Sequence, residues 1–259
     1  FQKLGTEVPV VARLFSQNLF DRFSDRKAGT LFPLPKRLKQ EIRDQIDRAI
    51  FHGGAVGLEE DAQHTRRLRL VHQNMHLPFM TWTAGQREFT PLLLGLYHLL
   101  PHVKTRKRDD IDWVVIEEPE MGLHPRAITV VLLLVLDLLW RGYRVVLSTH
   151  SPHVLGAVWM LQRLKEHHAS SALICDAFEV ESTPAMRKVA EAALHQDYRV
   201  CHLSFEQGQA RSKDISSLDA ESPDDAVSGW GGLAELSSRF GEAVRRAVNE
   251  AGGRRGQEK

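Results

Sequence analysis

The sequence predicts an α/β fold with a mostly parallel sheet, and three observations lead there. Trp113-Val114-Val115-Ile116 is a short apolar run rich in β-branched residues that ends in Glu117-Glu118-Pro119, the pattern of a buried strand delivering charge to a sheet rim. A second such strand, Tyr143 to Leu147, ends in Ser148-Thr149-His150. Between them lies a long Val/Leu-rich stretch opened by Pro125 and closed near Gly142, read as a helix. Strand, helix and strand in this spacing form a βαβ unit. Its two strands run parallel, so Glu117, Glu118 and His150 are expected on one sheet edge. Ligands of open α/β sheets bind at such edges. Paired carboxylates at the end of an apolar strand are costly without a partner, and a divalent metal with a polyphosphate would account for them.

The bulk properties narrow the function. The chain has 259 residues, 42% hydrophobic and 26% charged, ample for a large core. A net charge of +1 gives no global field to gather nucleic acid or membrane, so such contacts would need local patches. Cys175 and Cys201 stand far apart and suit a reducing, cytoplasmic setting. The opening residues do not read as a charged-then-apolar secretory leader. Ile128 to Trp140 is too short to span a membrane and contains Asp137. The first residue is Phe1, so the chain is expected to be a fragment or a processed product.

In chain order, residues 1–35 carry scattered apolar positions and end in Phe32-Pro33-Leu34-Pro35, a break. Lys36 to Phe51 has helical periodicity, with Leu38, Ile42, Ile46 and Ile50 on one face and a solvated, ion-paired face of Lys36, Arg37, Lys39, Arg43 and Arg48 opposite. A DNA-facing arm is the other reading of that face. Gly53 to Gly57 is read as a turn: a phosphate loop needs G-x-x-x-x-G-K-[ST], and the chain has no Gly-Lys pair. Arg67 to Val71 alternates like a strand, and Leu77 to Met80 is extended. His72/His76 and His98/His102 sit four apart but lack a third ligand at metal spacing, so they are surface or core histidines. Thr83-Ala84-Gly85-Gln86 opens an apolar helix that continues from Phe89 to Leu100. Two readings stay open there: an anion site at the helix N-terminus, or an ordinary cap by Thr83. Lys104, Arg106, Lys107 and Arg108 lead through Asp109, Asp110 and Asp112 to the acidic strand as a polar loop.

Ser151-Pro152 caps another helix, running to about Lys165. Ala172 to Phe178 and Tyr198 to Phe205 read as strands, the latter turning at Gln207-Gly208 into Ala210–Ile215. Residues 216–225 read as a polar linker, Leu233 to Asn249 as an amphipathic helix, and the tail from Gly252 as disordered.

Three motifs therefore stand in order: Thr83-Ala84-Gly85-Gln86, Val114-Val115-Ile116-Glu117-Glu118-Pro119 and Leu147-Ser148-Thr149-His150. Together they resemble the C-terminal half of an ATP-binding-cassette-type ATPase. Glu-Glu-Pro-Glu-Met-Gly-Leu-His-Pro and Ser-Thr-His-Ser-Pro look most like the overcoming-lysogenization-defect (OLD) type and related prokaryotic "AAA family" ATPases of genome maintenance and phage defence. The match is close over residues 77–165. It implies a three-layer P-loop NTPase-type core, incomplete at its N-terminus, with a helical arm segment. It implies a division into 1–76 (arm and lead-in strand), 77–215 (C-terminal half of the ATPase core) and 216–259 (helical tail).

The resemblance also assigns roles. Glu117 takes the Walker B position and would hold Mg²⁺; Glu118 takes that of the base orienting the attacking water. His150 would sense the γ-phosphate. Thr83, Ala84, Gly85 and Gln86 would meet the ATP of a partner protomer, and Met121, Gly122, Leu123 and His124 form the D-loop. Thr83, Ala84, Glu117 and His124 each depart from the commonest residue, conservatively for that branch. The phosphate loop would come from outside this chain, so alone it should bind ATP weakly. The implied partners are a second copy or an ATPase subunit supplying that loop, with DNA or an effector protein possible and no membrane. The alternatives are a degenerate, non-catalytic module pairing with another subunit, and a nuclease. For the nuclease, Asp176, Glu179 and Glu181 are too sparse to form the acidic constellation.

Overall fold

A computed structural model describes residues 14, 17, 29–34, 37–60, 66–100, 107–235 and 237–246. The expectations for most of residues 1–28, for 102–106 and for the tail from 252 lie outside the described residues. The chain divides into two compact units, one of residues 1–149 and 170–193, the other of 150–169 and 194–259.

The first unit begins with four strands: β1 (Gly29–Phe32), β2 (Ala55–Glu60), β3 (Arg66–His72) and β4 (Met75–Pro78). They form an antiparallel sheet in the order β1-β2-β3-β4. The connection from β3 to β4 is Gln73-Asn74, both at positive φ (46° and 67°), a tight turn that only antiparallel neighbours can use. These four strands form an antiparallel sheet that the expectation of a mostly parallel sheet did not include. The parallel pairing among the described residues is confined to two strands, β5 (Trp113–Glu117) and β6 (Arg144–Ser148).

Gly57 lies in β2 and not in a turn. A Cβ there would stand 3.3 Å from the Gly29 carbonyl oxygen, so the glycine admits β1 at close range. The chain reversal is confined to His52 and Gly53, at φ 51° and 83°.

Between β1 and β2 runs α1 (Gln40–Ile46), which widens into one π-helical turn, Asp47–Phe51. Ile42, Ile46, Ile50 and Phe51 are buried as the periodicity requires. Phe51 stacks on Phe32 (centroids 4.9 Å apart) and meets Phe89 edge-on at 6.1 Å. The lead into this helix is not the solvated face the charges suggest. Arg37 is buried and donates to the Leu100 carbonyl, and Lys39 bonds the carboxylate of Asp137.

Helix α2 (Ala84–Leu99) buries Phe89, Leu93, Leu94, Leu96 and Tyr97. The β5–β6 crossover is α3 (Pro125–Arg141), buried along most of its length. It stops at Gly142, whose φ of 97° is the left-handed cap that glycine supplies. Asp137, 1% exposed, stands in this apolar helix because Lys39 and Arg141 both reach it. Lys39 also lies 3.8 Å from the centroid of Trp140. Burial pulls the Lys39 ammonium below its usual range while Asp137 opposes that pull.

Ala172 to Phe178, expected as a strand, is a short helix, α5 (Ala172–Ala177), preceded in the chain by α4 (Pro152–Glu166) of the second unit. Ile174, Cys175 and Phe178 are buried at i, i+1 and i+4, a helical face that a short apolar run does not distinguish from a strand. α6 (Pro184–Leu194), not anticipated from the sequence, follows it with Met186, Val189, Ala190 and Ala193 buried.

In the second unit, α4 is capped by Ser151, whose hydroxyl accepts from the His153 amide. The expected hairpin is present as β7 (Cys201–Glu206) and β8 (Gln209–Asp214), turning through Gln207 and Gly208 at φ 51° and 80°. Residues 216–225 are more than a linker. Leu218 is 0% exposed in a cluster with Leu155, Ile215 and Val227, and its carbonyl accepts from the Trp230 indole. The short α7 (Asp225–Ser228) contributes Val227. Residues 237–246 are helical, as the amphipathic pattern suggests, with Phe240 and Val244 exposed. No helix among the described residues is long and apolar enough to cross a membrane.

Candidate functional site

The start of α2 is built as a reciprocal cap. The Thr83 hydroxyl oxygen accepts from the Gln86 amide (3.2 Å), while the Gln86 side-chain oxygen accepts from the Thr83 amide (3.1 Å). The Gln86 side-chain nitrogen donates to the Ile50 carbonyl at 3.0 Å. Both polar ends of the buried Gln86 side chain are thus engaged inside the chain.

Gly85 faces the turn between β5 and α3. A Cβ at Gly85 would stand 3.1 Å from the Gly122 carbonyl oxygen and 3.4 Å from Leu123. Gly122 itself adopts φ 66°. The two glycines let backbone approach backbone, which explains small residues at these points on packing grounds. His124 caps α3, its Nδ1 accepting from the Arg126 amide at 3.3 Å, and Pro125 fills the first helical position.

Two helix N-termini therefore open on one cavity of about 340 Å³. Thr83, Ala84, Gly85 and Gln86 line one side, Gly122, Leu123 and His124 another, and Ile50 and His52 are among the rest of the lining. The structure brings together two motifs that lie some forty residues apart in the chain. His52 is a lining residue that the sequence reading missed; its left-handed backbone (φ 51°) at the end of α1 leaves no mark in the residue type. Met121 is exposed beside this cavity in the chain but does not line it.

The acidic strand is organised by its register with β6. Val114 pairs with Val145, Ile116 with Leu147 and Glu117 with Ser148. Val114 and Ile116 point into the core, which puts Trp113, Val115 and Glu117 on the other, open face. Arg144 lies over the Trp113 ring at 5.3 Å on that face. Glu117 thus ends an exposed row, with Ser148 as its register partner on β6.

Glu118 is the first residue past the strand, half-buried, with φ 43°. Left-handed backbone is unusual for glutamate, and Pro119 narrows its choices further, so the position stores strain of about 1–3 kcal/mol. Hydrogen bonds over-determine it: the Glu118 amide donates to the Ser148 carbonyl (2.9 Å), and its own carbonyl accepts from the Met121 amide (3.0 Å). The Thr149 hydroxyl donates to Glu120 at 2.7 Å, tying the ends of both strands. His150 is exposed, two residues past β6, and begins the second unit.

The chain is similar to a protein named Old nuclease from Escherichia phage P2, 23% identical over 193 residues, which cover 74% of this chain. The chain spans 32% of the length of that relative. The family profile described as "AAA domain, putative AbiEii toxin, Type IV TA system" matches residues 13–156, more than half of the chain. The chain belongs to this family of AAA domains.

Proposed function

We propose that this chain carries the acid-bearing part of an ATPase site, in a protein that binds and hydrolyses ATP and pairs through nucleotide. The observation that carries the reading is the end of the β5–β6 ladder. A carboxylate residue (Glu117) is the register partner of a hydroxyl residue (Ser148), and the next residue, Glu118, is held in strained backbone. Strain held in place by hydrogen bonds is a feature of functional sites.

A carboxylate and a hydroxyl are the hard oxygen donors that Mg²⁺ prefers, so Glu117 and Ser148 fit the ion. Mg²⁺ bound with ATP supplies charge neutralisation on the phosphates. Glu118 is the general base: it would orient the attacking water and take its proton as the water oxygen bonds to the γ-phosphorus, the bond from that phosphorus to the bridging oxygen breaks and ADP leaves. His150 takes the γ-phosphate-sensing role. Thr83, Ala84, Gly85 and the amides at the start of α2 meet the phosphates of a partner's ATP, where the helix dipole favours anions. Gln86 serves this by holding the cap. Met121, Gly122, Leu123 and His124 form the adjoining D-loop. By analogy with the longer Old nuclease, the coupled task lies in phage-related or nucleic-acid processing.

In the intact protein, Glu118→Gln is expected to keep ATP binding, lower hydrolysis by about 10²–10⁴-fold and leave the nucleotide-bound dimer trapped. Steady-state turnover, nucleotide binding and sedimentation read these three effects. Undiminished hydrolysis by the variant would end the assignment. One observation favours a second reading, a non-catalytic pairing module: the Gln86 side chain and the Gly85–Gly122 contact are accounted for by internal packing. That module would bind its partner equally well with and without ATP.

A further inference from the structure

We propose that Glu120, an acid to which the catalytic scheme assigns no role, is the positioning residue that holds Glu118 in place through Thr149. The inference rests on the ATPase reading above and adds a residue to it.

Glu118 cannot hold its own backbone. Its φ of 43° is a conformation that a glutamate before proline leaves unless its neighbours prevent it. The restraints visible are of two kinds. Backbone bonds close the turn: Glu118 to Ser148, Met121 to Glu118, and Leu123 to Glu120 at 3.0 Å. A side-chain bond crosses from this turn to the end of β6, the Thr149 hydroxyl donating to Glu120 Oε1 at 2.7 Å. Both partners are half-buried, and the second carboxylate oxygen of Glu120 is shielded from solvent. A charged acceptor in such surroundings makes a stronger bond than a neutral one.

The bond has a specific reach. Ser148 is both the register partner of Glu117 and the backbone acceptor for Glu118, and Thr149 follows it directly. Clamping Thr149 to Glu120 fixes the Ser148 carbonyl relative to the turn, and with it the Glu118 backbone. Removal leaves the strained residue free to relax, and a base displaced by a fraction of an ångström loses its line to the water. Nucleotide affinity depends on other groups, so the loss should fall on kcat and not on KM.

The test compares two pairs of variants in the intact protein. Thr149→Val removes the donor at constant size, while Thr149→Ser keeps it. Glu120→Leu removes the acceptor, while Glu120→Gln keeps one. The first member of each pair is expected to lose about tenfold in kcat, the scale of one charge-assisted hydrogen bond, with KM for ATP within about twofold of wild type. The second member is expected to stay within about threefold in kcat on the same scale. Amide hydrogen exchange over residues 118–123 should accelerate in the first members only. Equal kcat within either pair, or a loss confined to KM, overturns the proposal. A wild-type protein without ATP turnover would instead sink the ATPase reading. The exchange comparison would then decide whether Glu120 and Thr149 hold the turn, and equal exchange within each pair would reject it.

Discussion

Asp137 shows how far a single residue can depart from its pattern. A carboxylate in the middle of an apolar helix is tolerable only because Lys39 and Arg141 flank it, with Trp140 beneath the ammonium. Breaking such an arrangement leaves the buried Lys39 uncompensated. Asp137→Ala is therefore expected to destabilise the first unit by about 3–5 kcal/mol in urea denaturation. Asp137→Asn, which keeps hydrogen-bond capacity, should lose less. A loss below 1 kcal/mol on the alanine change would mean that the trio is solvated in solution. Gln86 teaches the complementary lesson. Its type and position were legible as part of a nucleotide motif, yet its side chain spans α1 and α2 by bonding Thr83 and Ile50. A residue can satisfy a motif and a packing requirement together, and Gly85 does the same against Gly122.

At the scale of elements, the stretch after β8 behaves unlike its composition. Ser216 to Asp225 reads as solvent-exposed chain, but Leu218 lies at the bottom of the second unit's cluster with Ile215, Leu155 and Val227. Leu218→Ala is expected to cost that unit about 2–5 kcal/mol, seen as earlier proteolysis and faster amide exchange in β7 and β8. Unchanged protection would return the stretch to linker status. The elements that the sequence announced share a property: their signals are local. Pro125 and Gly142 bracket α3, Ser151-Pro152 starts α4, Gln207-Gly208 turns the hairpin, and β5 and β6 show their apolar runs. What was missed needed distant partners. Gly57 is in a strand because β1 approaches it, and Ala172–Ala177 is a helix because Ile174, Cys175 and Phe178 share one buried face. The antiparallel sheet escaped notice because β1 and β2 are short and glycine-bearing. For the site, the three motifs and their order were readable. The left-handed Glu118, the Glu120–Thr149 bond and the entry of His52 into the cavity were not, since backbone strain and cross-strand contacts leave no residue-type signature.

On the scale of the whole molecule, neither unit is a continuous stretch of chain. The backbone passes between them after Thr149, after Ala169 and after Ala193. The β5–β6 pair belongs wholly to the first unit, and its open face has a further consequence. Parallel strands are ordinarily covered on both faces, but Trp113, Val115 and Val146 are 57%, 65% and 45% exposed. An apolar β surface of this kind is adhesive. Produced by itself, the chain is expected to behave as a poor colloid, with light scattering that climbs with concentration and salt. Val146→Lys should flatten that rise while shifting the urea midpoint by the equivalent of no more than about 0.5 kcal/mol. Anyone purifying the chain alone would then meet the sheet's bare side first as turbidity in the tube.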